Sequence, residues 1–172
     1  MKIILKYGLL VGAVVFIYIM LELVLGLHGK YLNVGQYTGY LRYLLLAAGI
    51  YVGTNDLRYE PPGTGITFWT AFGKGLGISA VAGIIICISE WLYIDFINPK
   101  FVQDFTEFTI NKLKAANASA EHIAAVMEQA HIWKPLEMQM LLYFAETIVL
   151  GFIFSLIAST ILVIRNPKKR RA

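Results

Sequence analysis

The chain has few charged residues and only one cysteine, and each shortage excludes a class of protein. Asp, Glu, Lys and Arg make up 15% of its 172 residues, against about 25% in an ordinary soluble domain, which excludes a water-soluble globule with a charged surface. The single cysteine, Cys87, has no partner within the chain, so a disulfide-stapled secreted miniprotein is excluded. Because 58% of the residues are hydrophobic, a disordered tail and a collagen-like fibre are excluded as well. The class that remains is an integral membrane protein.

Four apolar stretches are long enough, or nearly long enough, to cross a bilayer. A hydrocarbon core of roughly 30 Å requires about 20 apolar residues in a helix. The stretches are about 7–27, 37–54, 68–97 and 136–164. The first follows Lys2 and Lys6, as a signal peptide does, but its apolar run is longer than usual and no Ala-x-Ala site follows. We therefore interpret it as a retained span.

The distribution of lysine and arginine predicts the orientation of these spans. With four spans both termini lie on one side of the membrane, and that side carries nine basic residues against six on the other. Five of the nine are at the C-terminus: Arg165, Lys168, Lys169, Arg170 and Arg171. The positive-inside rule then places both termini in the cytoplasm, and the same five residues are candidate contacts for anionic lipid. No basic face alternates with aromatic residues, so no nucleic-acid partner is expected.

The segment 98–135 is polar enough to leave the membrane between the last two spans. Asn98 and Pro99 are typical of a helix start, and Ser119 is typical of the cap of a second helix. An apolar stripe on the first helix is formed by Phe101, Phe105 and Phe108. We expect two short amphipathic helices folded as an external hairpin. This hairpin is either a structural cap on the bundle and headgroups or a surface that docks a partner.

The fold predicted from these elements is an all-α membrane protein. A single domain, 1–172, contains four transmembrane helices with both termini cytoplasmic. An external amphipathic helical hairpin lies between the third and fourth helices.

Ionisable residues inside the predicted spans are the most informative ones. They are Glu22, Arg42, Glu90 and Glu146, one on each span. A charge at mid-bilayer costs about 2.5–3.5 kcal/mol on insertion scales, so such residues usually face the protein interior and pair with each other. Counted along each helix from its inner boundary, all four lie in the outer half of the membrane, which predicts one cluster. Three carboxylates surround one arginine there, so at least one glutamate is expected to be protonated.

Patterns for catalysis or metal binding are not recognisable. The three histidines lack the spacing of metal ligands, and no nucleophile stands near a base in the sequence. The glycines of 73–77 are too closely spaced for a phosphate-binding loop, and a span follows them. We expect no enzyme activity, no metal and no cofactor.

Five blocks of the sequence carry a resemblance to a known family. They are Lys6-Tyr7-Gly8 after a basic leader, Gly65-Ile66-Thr67-Phe68 with Ala71-Phe72-Gly73-Lys74-Gly75, Ile97-Asn98-Pro99, Ser119-Ala120-Glu121-His122-Ile123, and Glu146 followed by Gly151 and Ser155-Leu156-Ile157-Ala158. Over nearly the whole chain this layout resembles the uncharacterised bacterial membrane-protein family catalogued as domain of unknown function 4199. The resemblance implies a bacterial inner (cytoplasmic) membrane and four spans with a polar helical segment before the last. It offers no catalytic residues.

Two expectations about function follow. The first is a small non-enzymatic inner-membrane protein that is an accessory or structural component of a membrane complex. Its partners would be the lipid bilayer and other membrane-protein subunits or further copies of this chain. The alternative is a proton-linked transporter or a protein that binds lipid or a small molecule at the intramembrane Glu/Arg cluster. A transporter needs a polar cavity that reaches the glutamates, and the two halves of the sequence show no convincing repeat.

Overall fold

The computed structural model describes residues 1–59, 67–132 and 135–165, and the regular structure in these ranges is helical. The helices are α1 (Lys2–Val24), α2 (Leu32–Thr38), α3 (Leu41–Asn55), α4 (Phe68–Leu92), α5 (Phe101–Ala115), α6 (Ala120–Ile132) and α7 (Leu136–Arg165). A short 3₁₀ turn, Asp56–Tyr59, follows α3. A π-helical turn, Tyr93–Ile97, continues α4.

Three helices in the described part of the chain are long and apolar enough to cross a membrane. They are Lys2–Val24, Phe68–Ile97 and Leu136–Arg165. The first, third and fourth stretches predicted from the sequence fall on these helices. Thr67 caps the N-terminus of the helix that begins at Phe68. Its side-chain oxygen accepts a hydrogen bond from the N–H of Thr70 at 3.1 Å, which satisfies a free donor of the first turn.

The second predicted stretch, 37–54, is not a continuous helix of spanning length. Helix α2 ends at Thr38, and α3 has 15 residues, which is about 22 Å and less than the hydrocarbon thickness. Gly39 and Tyr40 join the two helices in one tight turn, although both keep right-handed helical backbone angles. The prediction of four helices that each span the membrane is therefore not met by α3 alone. Hydropathy counts apolar residues and does not detect where a helix is interrupted.

Helix α4 lies at the centre of the packing. It contacts α1, α3 and α7, and α3 contacts α1 and α7 as well. Val15 of α1, Ile50 of α3 and Ile78 of α4 have no exposed side-chain surface. The four helices thus share one apolar core, to which α7 contributes Ala158.

Small residues bring α4 and α7 into close contact. Gly75 and Ser79 of α4 lie opposite Ser155 and Gly151 of α7, so each glycine faces a serine of the antiparallel partner. A Cβ atom added at Gly151 would lie 2.4 Å from Cβ of Ser79, and one added at Gly75 would lie 2.8 Å from Cβ of Ser155. There is no room for larger side chains at the two glycines, which is the usual way in which membrane helices approach closely. We refer to these four residues as the α4–α7 seam.

Helices α5 and α6 pack together as a hairpin. The Oγ of Ser119 accepts a hydrogen bond from the N–H of His122 at 3.2 Å, which confirms Ser119 as the cap of α6. The predicted start of α5 was wrong by two residues: α5 begins at Phe101, and Lys100 occupies the N-cap. Asn98 instead closes the preceding π-helical turn.

The hairpin rests on the other helices through α5. Phe101 and Val102 pack against the apolar core. Further along α5, Nζ of Lys112 donates to Oε1 of Gln36 at 2.8 Å and lies 5.7 Å from the ring centre of Tyr37. Helix α5 is therefore attached both to the core and to α2.

Candidate functional site

Arg42 is the second residue of α3, and its guanidinium reaches two other helices. Nη1 donates to Oε1 of Glu90 on α4 at 3.0 Å, and Nη2 donates to Oε2 of Glu146 on α7 at 3.5 Å. One side chain thus links α3, α4 and α7 by charge-assisted hydrogen bonds. We refer to Arg42, Glu90 and Glu146 as the Arg42 triad.

Tyr43 completes the hydrogen bonding of the triad. Its hydroxyl accepts from Nη2 of Arg42 at 3.0 Å and donates to Oε1 of Glu146. Sequence reasoning missed Tyr43, because residues adjacent in a helix do not normally share a face. The long arginine side chain bends toward the tyrosine, with the guanidinium carbon 5.0 Å from the centre of its ring.

The two carboxylates of the triad differ in exposure. The side chain of Glu90 is 7% exposed and that of Glu146 is 42% exposed, while Arg42 is at 25%. Glu90 therefore belongs to the interior, and Glu146 lies at the edge of the helical body.

A small cleft adjoins the triad. It is lined by Arg42, Tyr43, Leu46, Ile86, Tyr143, Glu146 and Thr147. Its volume is about 10 Å³, which is room for about one water molecule. The guanidinium carbon of Arg42 lies 5.6 Å from the ring centre of Tyr143, so the cleft combines charge with aromatic surface.

Glu22, the fourth member of the predicted cluster, has other partners. It is buried, and its Oε1 accepts hydrogen bonds from the hydroxyls of Tyr18 at 2.9 Å and Thr38 at 2.5 Å. Its Oε2 lies 3.5 Å from Nε2 of His28. No hydrogen bond joins it to Arg42 within the described ranges. The structure thus brings three of the four predicted residues together and places Glu22 in a second network.

His28 connects this second network to the hairpin. Its Nδ1 is 2.5 Å from the hydroxyl oxygen of Tyr93, and that oxygen also accepts from Nδ2 of Asn98 at 2.9 Å. Because Asn98 supplies one proton, the Tyr93 hydroxyl can donate its own to Nδ1, which leaves the proton of a neutral imidazole on Nε2. The ring centre of Phe101 lies 4.9 Å from that of His28. Segments from α1, the α1–α2 loop, the end of α4 and the start of α5 therefore meet here.

The environment of His28 favours its neutral form. Burial lowers the pKa of His28, and the carboxylate of Glu22 opposes this effect, while the positive charge of Arg42 adds to the lowering. Sequence reasoning missed His28, since a loop histidine without metal-ligand spacing gives no signal. Tyr18 could have been found, because it lies four residues before Glu22 on the same helix face.

The opposite end of the helical body has its own polar contacts. The Tyr7 hydroxyl donates to Oδ2 of Asp56, and Nζ of Lys6 lies 3.5 Å from the same oxygen. Nη1 of Arg165 donates to the Tyr51 hydroxyl at 2.9 Å. Arg165 is exposed, and this hydrogen bond holds its side chain against α3. The other four candidate lipid contacts, Lys168, Lys169, Arg170 and Arg171, lie outside the described residues.

Metal ligands do not come together in residues 1–59, 67–132 and 135–165, where no group of three or more His, Cys, Asp or Glu side chains could hold an ion. The thiol of Cys87 is buried and donates to the carbonyl of Met140 at 3.4 Å.

Comparison with known proteins identifies the family. No curated protein and no solved structure matches the chain. The sequence profile of one family, described as "Protein of unknown function (DUF4199)", matches residues 6–163. This range contains the whole Arg42 triad, the cleft and the Glu22 network. The chain therefore belongs to the DUF4199 family.

Proposed function

We propose that this protein is a non-enzymatic, multi-pass protein of a bacterial inner membrane that acts as an accessory or structural component of a membrane complex. The observation that supports a structural role is the Arg42 triad. A single guanidinium bonds to carboxylates of two other helices, Glu90 and Glu146. Polar groups that bond to each other across membrane helices hold those helices together.

The size of the adjacent cleft argues against a solute pathway at the triad. A transporter needs a polar cavity at the binding site. The cleft has a volume of about 10 Å³, and Arg42 already bonds to both carboxylates and to Tyr43. These groups stabilise each other, and the cleft beside them is too small for a solute much larger than a water molecule.

The accessory role is supported by apolar side chains on the hairpin. Phe105, Met127 and Ile132 are 38%, 57% and 49% exposed, although they lie outside the helices of spanning length. Exposed apolar side chains outside the spanning helices can mark a site of protein association. We propose that this part of the hairpin contacts another membrane-protein subunit.

Purification in mild detergent tests the accessory role. We expect a defined partner chain to co-purify with the wild-type protein and to be lost in the variant Met127→Asp, which places a charge in the proposed contact. The variant Gln129→Asp adds the same charge at an exposed polar position of the same helix and should keep the partner. Mass spectrometry of the co-purifying chains gives the result. Retention of the same partners by both variants would reject the hairpin contact, and purification of the chain alone would reject the accessory role.

We further propose four membrane crossings, with the α2–α3 pair as the second and both termini in the cytoplasm. The pair covers residues 32–55, which is more than the roughly 20 residues that a crossing requires, although the turn at Gly39 and Tyr40 makes it shorter than a straight helix of that length. The basic residues near both termini support this orientation.

Reporter fusions at the two ends test the number of crossings. Green fluorescent protein matures in the bacterial cytoplasm and alkaline phosphatase is active only outside it. We expect fluorescence and no phosphatase activity at both termini, because an even number of crossings leaves them on one side. Opposite results at the two ends would show three crossings and would place the α2–α3 pair on one side of the membrane.

A further inference from the structure

The Arg42 triad contains one more negative group than positive groups. Arg42 provides a single positive charge for two carboxylates, and it lies nearer to Glu90, at 3.0 Å, than to Glu146, at 3.5 Å. Glu146 is also the more exposed of the two. The unbalanced charge therefore lies at Glu146. An unbalanced charge within a membrane segment is costly, and it is offset either by a proton, as predicted from the sequence, or by a further cation beside Glu146.

The cleft at Glu146 fits a small cation. Its volume of about 10 Å³ is room for one group the size of a water molecule, and a primary ammonium has about that size. The guanidinium of Arg42 also lines the cleft and lies over the rings of Tyr43 and Tyr143, so these rings already have a cation. The group that can attract a further cation is the carboxylate of Glu146, which is 42% exposed. A trimethylammonium group has no N–H and cannot donate a hydrogen bond to Glu146.

The depth of Glu146 points to the source of the cation. Arg165 and Glu146 are 19 residues apart on α7, or about 28 Å. The hydrocarbon core is about 30 Å thick. With Arg165 at one boundary, where it bonds to Tyr51, Glu146 lies close to the other boundary, where lipid headgroups begin.

We propose that the cleft beside Glu146 binds the primary ammonium of a phospholipid headgroup of the phosphatidylethanolamine type. In this arrangement Glu90 and Arg42 form the pair that joins the helices, and Glu146 accepts hydrogen bonds from the ammonium. The proposal adds a ligand to the triad and does not depend on the accessory role of the hairpin.

Native mass spectrometry of the purified full-length protein tests the proposal. The protein is mixed with equal amounts of phosphatidylethanolamine and phosphatidylcholine that have identical acyl chains. We expect phosphatidylethanolamine to be retained about tenfold better, as for one additional charge-assisted contact. This comparison uses the wild-type protein and needs no variant. Equal retention of the two lipids would overturn the proposal.

Two variants locate the site. Glu146→Gln keeps the size of the side chain and removes its charge, and it should reduce the retention of phosphatidylethanolamine to that of phosphatidylcholine. Glu137→Gln makes the same change at an exposed position of the same helix and should leave retention unchanged. An equal loss in both variants would overturn the assignment to Glu146.

Three other results would show a different source of positive charge. Displacement of the lipid by free ethanolamine at similar concentration would indicate a soluble amine. An infrared band of a protonated carboxylic acid that disappears in Glu146→Gln would indicate a proton. A lipid-free dimer that dissociates in Glu146→Gln would indicate a partner chain. Each of these outcomes overturns the lipid proposal, and none affects the expected partner of the hairpin.

Discussion

Replacing Arg42 with alanine is expected to lower the free energy of unfolding by about 3–5 kcal/mol, the range for removing one partner of a buried ion pair. The variant leaves the carboxylate of Glu90, which is 7% exposed, without the guanidinium that neutralises it. It also removes the hydrogen bond to Glu146 that links α3 to α7, and the hydrogen bond to Tyr43 within α3. The yield of folded protein should fall accordingly, and melting curves in detergent measure the loss.

The single glutamate variants should lose less stability than Arg42→Ala. Glu90→Gln and Glu146→Gln each leave the guanidinium one carboxylate, and Glu22→Gln leaves the triad intact. Arg165→Ala is the matched control, since this arginine is exposed and donates a hydrogen bond to Tyr51, and the loss of stability is expected to be below about 1 kcal/mol. Equally small losses for Arg42→Ala and the control would show that the triad does not hold the helices together.

A double-mutant cycle separates the two polar networks. Arg42→Ala and Glu90→Gln should be strongly non-additive, because the two side chains bond directly. Arg42→Ala and Glu22→Gln should be coupled more weakly, because Glu22 bonds to Tyr18 and Thr38 and is linked to Arg42 through His28, which interacts with both charges.

Replacing Gly151 with alanine is expected to destabilise the protein by about 1–3 kcal/mol, the usual range for overpacking. The new Cβ would lie 2.4 Å from Cβ of Ser79 in the α4–α7 seam, so the two helices would have to move apart. Gly73→Ala is the matched control, because it is also a helical glycine but has no neighbouring atom within 4 Å of its added Cβ. There alanine should stabilise the helix by about 0.5–1 kcal/mol. The two substitutions should thus shift the melting temperature in opposite directions.

A compensating change in α4 tests the reason for this effect. Adding Ser79→Gly to Gly151→Ala removes the atoms that the new methyl group meets, and it should restore most of the lost stability. If the double variant were less stable than Gly151→Ala alone, the close approach of α4 and α7 at this point would not be the cause.

The main helices and the triad could be predicted because they follow from local rules. Apolar length determines α1, α4 and α7, and counting residues along the helices placed Arg42, Glu90 and Glu146 at similar depths. The capping of α6 by Ser119 required only the preference of a hydroxyl for free N–H groups.

The partners of Glu22 could not be predicted, because they depend on how the chain returns after α1. Gly26 adopts a positive φ of 72°, and a Cβ at Gly35 would lie 2.0 Å from the carbonyl oxygen of Leu27. This tight loop brings His28 back to Glu22. The depth of a residue along its helix does not predict how the loop folds back, and hydropathy does not predict it either. Hydropathy also did not detect the turn at Gly39 and Tyr40.

The position of Arg42 has a consequence for biosynthesis. Helix α3 is short and carries a charge near its start, so by itself it is a poor substrate for membrane insertion. Its carboxylate partners lie 48 and 104 residues further along the chain, so they leave the ribosome much later. Until α4 has been synthesised, the nascent chain must keep an unneutralised guanidinium in water, at the headgroups, or under the protection of the insertion machinery, and the contact with Glu146 forms only after α7 has followed.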